Sequence, residues 1–363
     1  MKLFAAIDIG SYEVEMKIFQ ITSGKGIKEI DCVCHRMELG KDVYRDGRIG
    51  VEMTDELCRV LNDFVRIMKG YRVDDWRVCA TSAVREAGNQ LVFLDRVKRH
   101  TGLEVEVLSN ASQRFMDYKS IASRENEFNR IIQKGTAIVD VGGGSIQISL
   151  FDKDRLVASQ NMKIGNLRLR ERMMNEGVSL KHYETLLTEV VKNEFLSYKK
   201  LYLKDRVISN LIVVGDHIGD AVHKNVMTRA DFLNFYDDMI YRSDEDAAGR
   251  CEVPEDVISV LRPSLVVYRC FLEAADVENI WMPGLHLTDG MAYEYAQQNR
   301  LLKLVHDFDE DILAAARNAA KRYQCSKSHI KVCEDLAVGI FDKIKKSQGF
   351  DDRDRLLLRI AVI

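Results

Sequence analysis

The stretch Val139–Gln147 reads VDVGGGSIQ: an apolar run ending in Asp140, then Gly142, Gly143, Gly144 and Ser145, then an alternating run that carries Gln147. A glycine-rich turn between two strands leaves consecutive backbone N–H groups uncovered by side chains. Such a turn is a nest for an anion, phosphate above all. The Ser145 hydroxyl adds a donor, and a carboxylate at the strand end, Asp140, suits a hydrated Mg²⁺ beside a phosphate. The arrangement occurs a second time in Ala6–Phe19, AIDIGSYEVEMKIF, with Asp8, Gly10 and Ser11 in the matching places. One GGGS alone fits an ordinary tight hairpin. The pair, with aspartate at the same offset, points to two halves of one phosphate site. Gln147 raises a question, because a neutral amide does not usefully accept a proton.

A third segment, Ala80–Ala87 (ATSAVREA), closes a strand and opens a helix. Thr81 or Ser82 can cap that helix, and its free N–H groups together with Arg85 suit an oxyanion. The plainer alternative is a capped surface helix with Arg85 in solvent. The eight cysteines include no C-x-x-C pair, which argues against zinc-knuckle and thioredoxin chemistry. Lys and Arg total 53 against 56 Asp and Glu, a net charge of −3. No global basic field exists to attract nucleic acid or an anionic membrane, and neither is expected as a partner. No apolar run approaches the roughly 18 residues of a membrane span. The N-terminal MKLFAAIDIG is too short for a signal peptide, so a cytoplasmic location is expected.

These residues need strands that end at the turns and helices that close the cleft. Leu3–Ile9, Tyr12–Ile21 and Ile27–Met37 read as strands, with Val14, Met16, Ile18 and Gln20 on one face of the second. A helix is expected from Thr54, as its N-cap, to Lys69; then come strand Trp76–Thr81, helix Ala83–His100, strand Val105–Leu108 and a helix from Ala111. The pattern restarts with strands Thr136–Val141, Ile146–Phe151 and Leu156–Ile164. Helices Leu167–Asn175 and Leu180–Lys199 follow, then strand Leu211–Val214, helices Asp231–Tyr241 and Pro254–Ala274, and strand Asn279–Met282. Two β-β-β-α-β-α units facing each other are the simplest reading of this internal repeat. From about Leu301 the chain reads as amphipathic helices, His306–Tyr323 and Ser326–Ser347. A last apolar helix reaches Ile363, which suggests a fragment of a longer chain.

Taken together, AIDIGS, ATSAVREAGN, TGLEVEVLS, VDVGGGS, IGNLRLRER and Pro283-Gly284-Leu285 resemble, in order and spacing, the exopolyphosphatase/guanosine pentaphosphate phosphohydrolase (Ppx/GppA) family. That family belongs to the sugar-kinase/Hsp70/actin superfamily, and the resemblance covers about residues 3–300. It implies an α/β fold of two ribonuclease-H-like (actin-like ATPase) domains facing a cleft, at 1–125 and 126–300. The segment 301–363 would be the helical start of an HD-like domain, with His329 at that domain's first histidine. The closing helix near Thr288–Arg300 is expected to pack back on the first domain. The implied activity is Mg²⁺-dependent hydrolysis of a terminal phosphoanhydride of inorganic polyphosphate or guanosine pentaphosphate (pppGpp). Gly10, Ser11, Arg85, Gly142–Gly144, Ser145 and Gly215 would hold phosphate, and Asp8 and Asp140 the metal.

The resemblance also marks departures. Where the family has a water-activating glutamate in its S-G-E-E-E-A-R motif, Ser109–Phe115 reads SNASQRF, with Gln113 in the matching place. Where it has a second glutamate two residues after the GGGS serine, this chain has Gln147. Tyr12, Glu13 and the Gly215–Gly219 segment depart as well, and Thr288-Asp289 stands where the family has Arg-Glu. Losing a base commonly costs about 10²–10⁴ in rate. Asp117, one helical turn past Gln113, is a candidate substitute base, with Glu13 and Asp216 behind it. The expectation is a phosphohydrolase with impaired catalysis. A phosphate- or nucleotide-binding sensor and a scaffold whose helices serve a homodimer are the alternatives.

Overall fold

The computed structural model describes residues 1–175, 180–203, 206–215, 217–302 and 306–363. Two mixed sheets form its centre. The first is built from β1 (Lys2–Ile9), β2 (Glu13–Thr22), β3 (Gly26–Arg36), β4 (Asp75–Ala80) and β5 (Val105–Val107), in the order β3-β2-β1-β4-β5. The second is built from β6 (Thr136–Val141), β7 (Ile146–Asp152), β8 (Arg155–Met162), β9 (Asn210–Val214), β10 (Val226–Thr228) and β11 (Asn279–Trp281). Its order, β8-β7-β6-β9-β11, is the same, with β10 added antiparallel at the edge. In both sheets the first strand pairs antiparallel with the second and parallel with the fourth. The repeat read in the sequence is therefore a repeat of topology, and this is the two-domain α/β architecture expected above.

Each sheet packs helices on both faces. In β2, Val14, Met16 and Ile18 enter the core under the helix Val51–Tyr71. The opposite face begins with Glu13 and Glu15, continues through Lys17, and ends in Phe19 and Ile21, which are buried in the cluster with Met291, Ala292 and Ala296. A one-faced reading of β2 misses this second burial, because its polar half lines the cleft and only its far half is apolar.

Two helices cross between the lobes. Leu287–Gln298 packs on the first sheet, as expected, next to Phe4, Ala6 and Phe19. Asn110–Ala122 lends Met116 to that cluster but Tyr118, Ile121 and Ala122 to the far face of the second sheet, beside Ile138, Phe151 and Ile212. Gly290 lets the two helices touch: a Cβ there would lie 2.8 Å from the carbonyl carbon of Met116. The lobes are thus stapled by helices rather than joined by a linker.

Local differences from the sequence reading have physical causes. Thr54 is not the N-cap. The helix starts at Val51 behind Gly50, and the Thr54 hydroxyl donates to the Gly50 carbonyl at 2.7 Å. The helix expected over Ala83–His100 is two, Ser82–Glu86 and Gln90–Thr101, interrupted where the Asn89 amide turns back to bond Ile49. Short helices at Leu39–Asp46, Ile218–Val222 and Asp244–Cys251 escaped the reading, being too short for a clear period. Phe308–Arg322 docks on β8 and carries Asp311, which accepts from Leu156 N and bonds His306 at 2.6 Å. Lys327–Gln348 and Asp352–Val362 pack mainly on each other, and His329 is exposed on the first of them. No described helix is long and apolar enough to cross a membrane.

Candidate functional site

The two Gly-Ser turns are built alike. Gly10 N donates to Glu13 O at 2.9 Å, and Gly142 N donates to Ser145 O at 3.0 Å. The second turn is held from behind by the helix Asn166–Asn175. Asn166 N bonds Gly142 O, Arg168 N bonds Gly143 O, and Arg168 Nε bonds Gly144 O at 2.9 Å. With its carbonyls turned into the helix, the loop leaves the N–H groups of Gly143, Gly144 and Ser145 without a hydrogen-bond partner among the described residues. Open N–H groups in a glycine turn are the geometry an anion nest requires.

The turns meet across the cleft. A Cβ on Gly143 would lie 2.7 Å from Ser11 Cβ, so only glycine allows the approach. Beside them lies a cavity of about 110 Å³, lined by Asp8, Gly10, Ser11, Gln113, Asp117, Asp140, Gly142, Gly143, Ser145 and Gly215 among others. Gly215 has φ +78°, and a Cβ there would lie 2.5 Å from Asp140 Oδ1, two reasons for a residue without one. Gly144 and Arg85 are not among the lining residues. Gly144 lies against the phenol tip of Tyr44. Arg85 donates to Leu108 O at 2.7 Å and to Gln113 Oε1 at 3.5 Å.

The carboxylates crowd. Asp140 Oδ2 accepts from Gln147 Nε2 at 3.1 Å and from Gln113 Nε2 at 3.5 Å. Gln147 is 2% exposed and its Oε1 has no hydrogen-bond partner. Asp117 Oδ2 and Asp8 Oδ1 are buried without partners too. Burial, then the charges of Asp140 and Asp8, push the Asp117 carboxyl well above its ordinary range. Burial, then Glu15 and Glu13, push Asp8 up to about 8. Such orphaned oxygens are the donors a hard divalent cation takes. Among the described residues no three His, Cys, Asp or Glu side chains converge as a metal cage. A cation here would be completed by water and phosphate oxygens, the usual manner of Mg²⁺. Asp216 lies outside the described residues.

The opposite wall was not read in the sequence as a unit. His286 Nδ1 pairs with Glu15 at 2.8 Å, and the Thr288 hydroxyl donates to the same carboxylate at 2.5 Å. Burial opposes the Glu15 charge, yet the His286 bond, with Lys17 and Thr288, holds Glu15 down at about 2. Burial likewise opposes the His286 charge, and Glu15 outweighs it, raising His286 to about 9. Glu13 accepts from Cys34 Sγ at 3.1 Å and lies 3.8 Å from His217 Nε2. The alternation of Glu13 and Glu15 on β2 was the available signal. Their histidine partners come from distant segments.

Comparison with known proteins agrees with this geometry. The model of the Ppx/GppA phosphatase family matches residues 17–298. A bifunctional 3-dehydroquinate synthase/phosphatase of Fusobacterium nucleatum is 26% identical over 180 residues, 47% of this chain and 26% of that protein. A guanosine-5'-triphosphate,3'-diphosphate pyrophosphatase of Photobacterium profundum is 20% identical over 371 residues, 99% of this chain and 71% of that protein. The chain thus spans about a quarter of the first relative's length and under three quarters of the second's. Among solved structures, an exopolyphosphatase from Cytophaga hutchinsonii superposes with a TM-score of 0.72 at 17% identity, covering 84% of this chain and 99% of that one. With paired Gly-Ser turns, a duplicated sheet order and a match over most of its length, the chain belongs to the Ppx/GppA phosphatase family.

Proposed function

We propose that this chain takes the terminal phosphoanhydride of inorganic polyphosphate or of pppGpp into the cleft and releases phosphate from it slowly, with Mg²⁺ as cofactor. The observation that carries the proposal is the pair of Gly-Ser turns, each closed by the same hydrogen bond and each preceded by an aspartate, meeting on one cavity. Relatives named for exopolyphosphatase and for guanosine-5'-triphosphate,3'-diphosphate pyrophosphatase activity support the same substrates. The open N–H groups of the Gly142–Ser145 turn are fixed donors for phosphate oxygens. Asp8 and Asp140 would hold Mg²⁺, which when bound neutralises phosphate charge.

Slowness follows from the amides. Gln113 and Gln147, in places where the family resemblance implies glutamates, each donate to Asp140. An amide orients water but does not take its proton, so that proton would pass to the phosphate itself. Arg85 reaches the cleft through Gln113 and would act by positioning it. A second reading, a phosphate or nucleotide sensor without turnover, is favoured by Asp117. Burial and the charges of Asp140 and Asp8 push its carboxyl up toward the protonated form, and only the ionised form takes a proton from water. Phosphate release from polyphosphate and pppGpp with Mg²⁺, together with calorimetric titration of both ligands, tests the two. Turnover in the ordinary range of about 1–10³ s⁻¹ would defeat the impaired-enzyme reading. Binding without release supports the sensor, and absence of both sinks the pair.

A further inference from the structure

The hydroxyl end of the anion loop is occupied from within the chain. Tyr44, on the helix Leu39–Asp46, brings its phenol oxygen to 2.8 Å from Ser11 Oγ and 3.3 Å from Ser82 Oγ, and those two hydroxyls are 2.8 Å apart. The same phenol packs on the glycine turn. A Cβ on Gly144 would collide with the phenol oxygen and lie 2.8 Å from the ring carbon that bears it. Three hydroxyls thus satisfy one another beside N–H groups that have no partner among the described residues. The ring is braced on its other sides. The Arg168 guanidinium lies 4.0 Å from its centroid, and Arg168 is itself tied to Gly144 O and to Glu86, each at 2.9 Å. Tyr12, Leu167 and Val260 form an apolar seam against it. Tyr44 as a whole is half-buried.

We infer that Tyr44 is a built-in occupant of the anion loop, which a terminal phosphate must displace and which thereby decides what anions enter. The inference rests on the reading of the Gly142–Ser145 turn as a phosphate site. A neutral phenol gives the serine hydroxyls ordinary hydrogen bonds, whereas a phosphate oxygen forms charge-assisted ones, roughly twice as strong. A doubly charged terminal phosphate therefore displaces the ring, and a weakly charged anion does not. The cavity of about 110 Å³ beside Ser11 and Ser82 is lined by neither Tyr44 nor Gly144, so a phosphate that takes the Gly144 end of the loop needs the phenol moved aside.

Tyr44→Phe removes the competing hydroxyl and keeps the packed ring. Calorimetric titration with inorganic tripolyphosphate and Mg²⁺ should give binding roughly 2- to 10-fold tighter for Tyr44→Phe than for the unmodified chain. Binding by Tyr44→Phe where the unmodified chain shows none also supports the occupant. Unchanged or weaker binding overturns it, as does no binding by either protein. Ser145→Ala separates this from the loop reading. If Ser145→Ala weakens binding while Tyr44→Phe does not tighten it, the loop reading stands and the occupant falls. If Ser145→Ala leaves binding unchanged, the loop reading falls, and an unchanged Tyr44→Phe takes the occupant with it. A crystal structure with tripolyphosphate supplies a second measurement. The Tyr44 hydroxyl should have left hydrogen-bond reach of Ser11, and a phenol unmoved beside bound phosphate refutes the inference.

Discussion

Gln113 and Gln147 donate to one carboxylate oxygen of Asp140, and this dictates what glutamates in their places would do. A glutamate in place of Gln147 would face Asp140 with like charge in a site 2% exposed, losing the hydrogen bond that the amide donates. Metal-free Gln147→Glu should unfold about 1–3 kcal/mol more easily in urea, and Mg²⁺ with pyrophosphate should restore part of the loss. In the presence of Mg²⁺ the double variant Gln113→Glu with Gln147→Glu should release phosphate from polyphosphate faster than the unmodified chain. No increase would mean that other departures in the cleft, such as Tyr12, limit the reaction. Asp117 belongs to the same scale. Its folded carboxyl titrates above its unfolded value, so stability is lost as pH rises from about 4 toward the folded value. Asp117→Asn should therefore raise the melting temperature at pH 7 in metal-free buffer and leave phosphate release within about threefold. A fall of 100-fold or more would identify Asp117 as the base after all.

At the scale of elements, the start of the helix Leu287–Gln298 is pinned to β2 by charge. His286 and Thr288 meet Glu15, and Asp289 meets Lys17 at 3.0 Å while accepting from His286 N at 2.8 Å. The raised His286 value contributes stability that is full below about pH 6.5 and is lost as pH rises through about 9. The depressed Glu15 value contributes above about pH 4.5 and is lost as pH falls through about 2. His286→Asn should cost about 1–2 kcal/mol at pH 6, reduced from a fully buried pair by solvent screening. The cost should shrink toward zero by pH 10, as judged by urea midpoints across the pH range. A cost that does not change with pH would show that His286 acts by packing alone. Sequence periodicity finds β2 and this helix separately. It has no term for the ion pairs that orient one on the other, because the partners stand some 270 positions apart.

For the whole molecule, the lobes are held shut by polar clamps as well as by crossing helices. Arg170 grips both oxygens of Glu38 at 2.7 Å and reaches Glu171 at 2.9 Å while itself 7% exposed. Arg168 ties Glu86 to the glycine turn, and Arg36 lies 3.3 Å from Asp256. Replacing Arg170 strands buried carboxylate charge at the seam. Arg170→Ala should cost about 3–5 kcal/mol if the pair behaves as a buried one, and should speed proteolytic cutting of the native protein. Arg170→Met, which removes the charge but fills the space, should lose less. Equal losses would point to packing rather than charge.

Features that repeat locally are legible in the residues alone. Asp8 and Asp140 at equal offsets, the two Gly-Ser turns and the alternating strands after them announced a duplicated sheet and a pair of like-built turns. Strand periods and glycine placement are dictated by neighbouring residues, so they are legible from neighbours alone. The family resemblance reached the same fold and the same candidate residues. What those residues face is set by the closed fold. Arg85 turns to the Leu108 carbonyl and Gln113 rather than lining the cavity, and Gly144 lies against the phenol tip of Tyr44. Asp117 is sealed among carboxylates, and His217 and His286 join Glu13 and Glu15 from far along the chain. Burial and charge pairing depend on distances between segments remote in sequence, and those distances exist only once the two lobes have closed on each other.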